Sequence, residues 1–151
     1  MTQPVDPGHL QAVLKDVGAA GVYHMPQVDK AGLIAAAEAD GYASFRIDLQ
    51  AATDKDELLA TIGKAMGFPD WYGRNLDALA DCLGDLSWQP ADGYLVLLEH
   101  CDGIHGFAEA DFVTALQIFE QAAAEWREQG VPLWCLVEMQ ADGIAWLPTG
   151  P

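Results

Sequence analysis

The chain of 151 residues has few cysteines and few basic residues, and it contains no long apolar run. Its cysteines, Cys82, Cys101 and Cys135, are odd in number and lack CxxC spacing, which argues against a disulfide framework and favours the reducing cytoplasm. No apolar run approaches the roughly 20 residues of a membrane-spanning helix, and residues 1–6 do not begin a secretory signal. Phosphate-binding glycine loops, dinucleotide fingerprints and nucleophile motifs are also missing. We therefore expect neither an enzyme nor a cofactor-binding protein.

Acidic residues dominate the chain: 23 Asp and Glu stand against seven Lys and Arg, for a formal net charge of −16. The imbalance is concentrated between Ala65 and Trp126, where eleven acidic residues accompany a single basic one, Arg74. Such a surface repels nucleic acid and anionic membranes and attracts basic partners, and its self-repulsion predicts a monomer. General solubility also explains an acidic composition, but it does not explain this uneven distribution.

Strand patterns and helix patterns alternate along the chain. The predicted strands cover residues 21–25, 44–49, 94–98 and 133–137, and the predicted helices cover about 10–18, 29–41, 54–67 and 111–129, with one more beginning near 75. This order predicts an α/β fold with a small, mainly parallel sheet flanked by helices, in a single domain over residues 1–151. Residues 144–147 are either a small added strand or a docked tail.

The helix that begins near Asn75 has two different faces. At 100° per residue, its apolar side is predicted to hold Leu76, Leu79, Ala80, Leu83 and Leu86. Asp77, Asp81 and Asp85 follow one another at four-residue spacing on the opposite side, and no Lys or Arg within the helix compensates them. An ordinary solvated face and a binding surface are both compatible with this pattern alone.

The segment from Phe68 to Leu83 reads FPDWYGRNLDALADCL. It closely resembles the signature of barstar-family ribonuclease inhibitors: Pro, an aromatic pair, Gly, then Asn-x-Asp-Ala-Leu-x-Asp-Cys-Leu. A weaker resemblance gives a family core over residues 44–138, with strand, helix, signature, strand, helix and strand in the family's order. Residues 1–40 look like the N-terminal extension of longer barstar-like proteins, which implies an added strand-helix unit packed on the core.

The resemblance implies a mechanism. In the family, the helix after the aromatic loop plugs the active site of a small, basic, secreted ribonuclease, and its carboxylates occupy the place of RNA phosphates. By position, Asp77 and Asp81 are the two signature aspartates, and Asp81 is expected to be the more central. The expected partner-binding residues are Trp71, Tyr72, Gly73, Asn75, Asp77, Ala78, Asp81, Asp85, Glu120 and Gln121. The implied protein is a cytoplasmic inhibitor, and the immunity partner of a ribonuclease toxin is one such role.

The sequence departs from the family's pattern in three ways. Gln121 stands where the family's second helix supplies a further acidic contact, and Glu120 is one position away. Arg74 places a positive charge within the proposed binding loop. Ala80 and Leu86 stand where the small family type has tryptophans. A barstar-like scaffold that binds another basic protein is therefore the alternative binding hypothesis.

Two other groups of residues suggest different functions. His100, Cys101 and His105, with Cys82 or Cys135, resemble a metal-ligand set, but no pair has zinc-type spacing, so free buried cysteines and loop histidines are expected. Asp77 and Asp81 are an outside candidate for the acid and base of a small hydrolase, although adjacent turns of one helix do not flank a substrate. Among the tryptophans, Trp126 and Trp134 are predicted to lie in the core, and Trp71 in an exposed loop.

Overall fold

The computed structural model describes residues 13–25, 29–70 and 72–139. Four strands form one parallel sheet in the order β1-β4-β3-β2. They are β1 (Val22–His24), β2 (Tyr42–Asp48), β3 (Gly93–Glu99) and β4 (Leu133–Val137). The four predicted strands are confirmed. However, β2 begins two residues before the predicted Ser44, because Tyr42 pairs with Gly93 and its ring packs where a Gly93 side chain would stand.

Within the described residues, five α-helices of six residues or more connect or cover the strands. They are α1 (Lys30–Ala39), α2 (Lys55–Met66), α3 (Leu76–Asp85), α4 (Asp102–Phe107) and α5 (Glu109–Glu128). Each of the first three helices is capped at its start: the side chains of Asp29, Asp54 and Asn75 each accept a hydrogen bond from a backbone N–H of the first turn. The six-residue α4 was not predicted, and α5 begins two residues before Asp111. Of the helix predicted over about residues 10–18, residues 10–12 lie outside the described residues, and its predicted end is a short 3-10 helix, Val17–Ala19. Residues 144–147 lie outside the described residues.

The two faces of the sheet are covered by different parts of the chain. Helices α2, α3 and α5 pack on one face, against strand residues such as Phe45, Val96 and Cys135. Helix α1 and residues 13–20 pack on the other, against Leu95 and Trp134. The chain runs from β2 through β3 to β4 in one direction, whereas β1 to β2 runs back across the sheet. Because crossovers are right-handed, reversing the direction moves the connecting helix to the opposite face.

Hydrogen bonds that involve side chains tie the N-terminal extension to the core in addition to the pairing of β1 with β4. Tyr42 Oη and Trp134 Nε1 both donate to the carbonyl of Leu14, at 2.7 and 3.0 Å. The Glu120 carboxylate accepts from Val22 N at 2.9 Å, and Arg127 donates to the carbonyl of Ala20 at 3.3 Å. The expected strand-helix unit is thus present. The burial predicted for Trp134 is confirmed, since only 1% of it is exposed.

A group of ion pairs lies at the carboxyl ends of the strands. The buried Glu99 carboxylate accepts two hydrogen bonds from Arg46, both at 2.9 Å, and one from Lys30 at 2.8 Å. Lys30 also pairs with Glu138, which follows β4. The hydrogen bonds from Arg46 and Lys30 lower the pKa of Glu99 to about 2, although its burial alone would raise it. This cluster joins α1 to three neighbouring strands.

Candidate partner-binding surface

Helix α3 presents its aspartates to solvent because its other side is buried. Ala78, Leu79, Cys82 and Leu83 face the core, and Leu86 is buried just beyond the last turn. Asp77, Asp81 and Asp85 are exposed. We call these three carboxylates the acidic face.

The prediction that Ala80 lies on the apolar side is wrong, because Ala80 is exposed. Burial of Ala78 and Cys82 shows that the inward arc is rotated away from Ala80, towards the side that carries Cys82. Ala80 therefore lies beside the acidic face and leaves Asp81 unshielded by any larger side chain at that position.

Both ends of α3 are fixed by specific contacts. At the start, Asn75 Oδ1 accepts from Ala78 N at 2.8 Å. At the end, Trp126 Nε1 of α5 donates to the Leu83 carbonyl at 2.7 Å. Leu86 adopts the left-handed conformation, with φ 50°, which its burial in the core compensates. The helix is thus held as a rigid support for the acidic face, so little conformational entropy remains to be lost when it binds.

The aromatic loop, residues 68–74, is anchored by Tyr72. The Tyr72 hydroxyl donates to the Leu59 carbonyl at 2.9 Å, and the ring packs edge-on against Phe68 at 4.8 Å between centroids. Gly63 of α2 makes room for this ring: a Cβ at Gly63 would lie 2.5 Å from Tyr72 Cε2. Burial raises the pKa of Tyr72 to about 12. Tyr72 therefore positions the loop and is only partly available to a partner.

Two other loop residues bear on the start of α3. Gly73 is exposed, and a Cβ there would lie 2.9 Å from Asn75 Nδ2, so glycine leaves space for the capping side chain. Arg74 is exposed and has φ 53°, in the left-handed region. Trp71 lies outside the described residues, so its expected exposure stays a prediction.

Glu120 and Gln121, the two neighbouring candidates on α5, have different surroundings in the structure. Glu120 turns to the N-terminal extension, where its carboxylate binds Val22 N. Gln121 is exposed, and its Nε2 lies 3.3 Å from Glu125 Oε1. Glu125 is itself exposed, and its Oε2 lies 3.5 Å from the position that a Cβ would take on Gly84 of α3.

Glu125 is a carboxylate beside the acidic helix that sequence reasoning missed. The neighbouring Trp126 could have indicated it, because this tryptophan of α5 contacts the end of α3. The contact residues of α5 next to α3 could therefore have been sought one turn after Gln121.

The candidate metal ligands do not converge. His100 Nδ1 lies 2.9 Å from Asp48 Oδ1, and His105 Nε2 lies 3.6 Å from Glu109 Oε2, so the two rings meet separate carboxylates. Cys101 is buried, and its thiol donates to the Leu98 carbonyl. Within residues 13–25, 29–70 and 72–139, no three His, Cys, Asp or Glu side chains are grouped so as to hold a metal ion.

All three cysteines are free and buried, as predicted. Burial is the main cause of the raised pKa of each thiol, and it brings the pKa of Cys82 to about 11, with a further contribution from Asp81 and Asp85. The thiols are consequently protonated near neutral pH and are poor nucleophiles. In the part of the chain that the structure describes, no helix is long and apolar enough to cross a membrane.

Together, the fold and the surface define a small parallel α/β protein that presents a capped acidic helix next to an anchored aromatic loop. The model of the family described as Barstar (barnase inhibitor) matches residues 42–138, more than half of the chain. The chain belongs to the barstar family, as the segment 68–83 indicated. The match begins at the first residue of β2, two residues before the boundary predicted from the sequence. A search of the curated proteins finds no match.

Proposed function

We propose that this protein inhibits a small basic ribonuclease by placing α3 in its active site, where Asp77 and Asp81 take the place of RNA phosphates. The observation that carries the proposal is the acidic face: three exposed carboxylates on a helix whose other face is buried. Successive members of the acidic face are about 6 Å apart along the helix axis. The family description, a barnase inhibitor, supports the same function.

The chemistry of a ribonuclease site complements such a helix. The site gathers Arg, Lys and His side chains to hold phosphates, and these donors form strong hydrogen bonds with carboxylates as well. The surrounding negative charge would speed the encounter with a basic enzyme, to an extent that salt reduces. Immunity against a ribonuclease toxin in the cytoplasm, by a monomeric inhibitor, is the biological setting that we propose.

The rest of the proposed surface surrounds the acidic face. Gly73 and Asn75 shape its start, and the partly buried Tyr72 and the buried Ala78 pack beneath it. Asp85, Gln121 and Glu125 extend it towards α5, and Trp71 extends it along the loop. We leave Glu120 out of the proposed surface because its carboxylate already binds Val22 N.

A barstar-like scaffold that binds another basic protein is the second candidate. Arg74 and Gln121 favour it, because the first adds a positive charge to the loop and the second lacks the charge expected on α5. The small-hydrolase hypothesis has no comparable support: Asp77 and Asp81 lie exposed on adjacent turns of one helix, where they do not face each other across a substrate.

The proposal is tested by titrating the protein into RNA-cleavage assays with a panel of small basic ribonucleases that includes barnase. We expect at least one enzyme to be inhibited stoichiometrically by the wild type. Asp81→Ala should weaken this inhibition by more than a hundredfold, because it strands cations of the enzyme in a desolvated interface at a cost of about 3–5 kcal/mol.

The matched control is Glu38→Ala, which removes the same charge from an exposed position of α1, on the opposite face of the sheet. It should leave inhibition nearly unchanged. In the free protein, Asp81→Ala should preserve or slightly raise the melting temperature, because alanine is the better helix former and repulsion from Asp77 and Asp85 is relieved. Inhibition of no enzyme in the panel, or equal inhibition by Asp81→Ala, would contradict the proposal.

A further inference from the structure

A cavity of about 350 Å³ lies between α2 and the loop that leads to α3. Its lining includes two basic side chains, Lys64 of α2 and Arg74 of the loop, together with apolar surface of Phe68, Pro69 and Tyr72. We call it the basic cavity. It contrasts with its surroundings, because Arg74 is the only basic residue between Ala65 and Trp126.

The cations of the basic cavity differ from most others in the chain. Of the seven basic residues, Lys15, Lys30 and Arg46 form ion pairs with carboxylates, and Arg127 donates to the Ala20 carbonyl. Within the described part of the chain, Lys64 and Arg74 form no ion pair. Lys55, the remaining cation, is exposed in the first turn of α2, where it adjoins Asp54 and Asp56.

One carboxylate, Asp70, also lines the basic cavity, but it forms no ion pair with Lys64 or Arg74 within the described residues. The cavity therefore carries a net positive charge, and its two cations can donate to a further anion. Arginine presents a planar fork of donors that matches a carboxylate, and lysine adds a mobile ammonium group. Phe68 and Tyr72 offer apolar surface to the methylene groups of such a side chain.

We propose that the basic cavity receives an Asp or Glu side chain of the partner ribonuclease, which selects among basic enzymes that would all be attracted by the acidic face. This inference rests on the proposed function and identifies the chemistry of the partner: a ribonuclease with an acidic residue at the rim of its basic active site. A charge of the opposite sign at one edge of an interface fixes the register of the partner and repels enzymes that carry a cation there.

The direction in which binding affinity changes on removing either cation separates this proposal from a general electrostatic effect. If Lys64 and Arg74 were only unfavourable charges near a basic partner, removing either would tighten binding slightly, as should the control Lys55→Gln. The proposal requires the opposite result: Arg74→Gln and Lys64→Gln should each weaken binding by about tenfold or more, because each removes a charge-assisted hydrogen bond. Arg74→Lys should restore part of the affinity.

The experiment uses whichever ribonuclease the wild-type protein inhibits, and it measures dissociation constants for the variants by calorimetry. A double-mutant cycle then combines Arg74→Gln with Asn or Gln replacements of the enzyme's non-catalytic acidic residues. We expect one enzyme carboxylate whose replacement abolishes the effect of Arg74→Gln. Equal or tighter binding by both Gln variants, or coupling to no carboxylate, would overturn this inference and leave the proposed function standing. Inhibition of no ribonuclease by the wild type would overturn both.

Discussion

Replacing Gly63 with Ala tests how α2 positions the aromatic loop. A Cβ at this position would lie 2.5 Å from Cε2 and 2.8 Å from Cδ2 of the Tyr72 ring. Replacing Gly with Ala within a helix normally stabilises the folded protein by about 1 kcal/mol. Here the ring must move, which costs roughly 1–3 kcal/mol for overpacking and about 1 kcal/mol for the hydrogen bond from Tyr72 to the Leu59 carbonyl. We therefore expect the variant to be less stable than the wild type by about 1–3 kcal/mol.

The chain supplies its own control for this prediction. A Cβ on Gly84 of α3 would meet Glu125 Oε2 at an ordinary 3.5 Å, so Gly84→Ala should stabilise by about 0.5–1 kcal/mol through helix propensity alone. Urea unfolding followed by circular dichroism measures both variants. In a Tyr72→Ala background the clash is absent, and Gly63→Ala should then become neutral or stabilising. The reasoning fails if Gly63→Ala is as stabilising as Gly84→Ala in the presence of the Tyr72 ring.

Two further predictions concern residues that hold the fold together. The pKa of Glu99 is about 2 in the folded protein and near 4.5 when unfolded, so its ion pairs contribute stability above pH 4.5 that is lost as pH falls towards 2. Glu99→Gln should therefore destabilise by roughly 3 kcal/mol more at pH 7 than at pH 2.5 in urea titrations, and an equal effect at both would refute this. Glu120→Ala should accelerate amide exchange of Val22, measured by NMR, because it removes the carboxylate that accepts this N–H. Gln121→Ala should not, and equal protection in both variants would show that the contact is dispensable.

Local patterns predicted most of the fold. Strands β3 and β4 are continuous apolar runs that are buried on both faces of a parallel sheet. Such runs can be recognised as buried strands without knowledge of the tertiary structure. The capping side chains of Asp54 and Asn75 act within one turn, so they are visible in the sequence. Helix α4 escaped prediction because six residues are too few to display a helical period.

The details of the surface depend on contacts between distant segments. Ala80 is exposed because packing against neighbouring elements fixes the rotation of α3, which the spacing of leucines defines only loosely. Glu120 and Gln121 are adjacent in sequence. Glu120 accepts a hydrogen bond from Val22 N of the N-terminal extension only because β1 pairs with β4. The partly buried position of Tyr72 likewise depends on Gly63, which lies in the preceding helix, α2, nine residues earlier.

The central claim is that α3 occupies a ribonuclease active site, and competition tests it most directly. Calorimetric titration of this protein into an inhibited ribonuclease is repeated at increasing concentrations of a nucleoside 3′-monophosphate, which binds the phosphate site of the enzyme. We predict that the apparent Kd rises in proportion to the mononucleotide concentration once that ligand exceeds its own Kd. An unchanged Kd at saturating mononucleotide would mean that both bind at once, and it would contradict the proposed placement of Asp77 and Asp81.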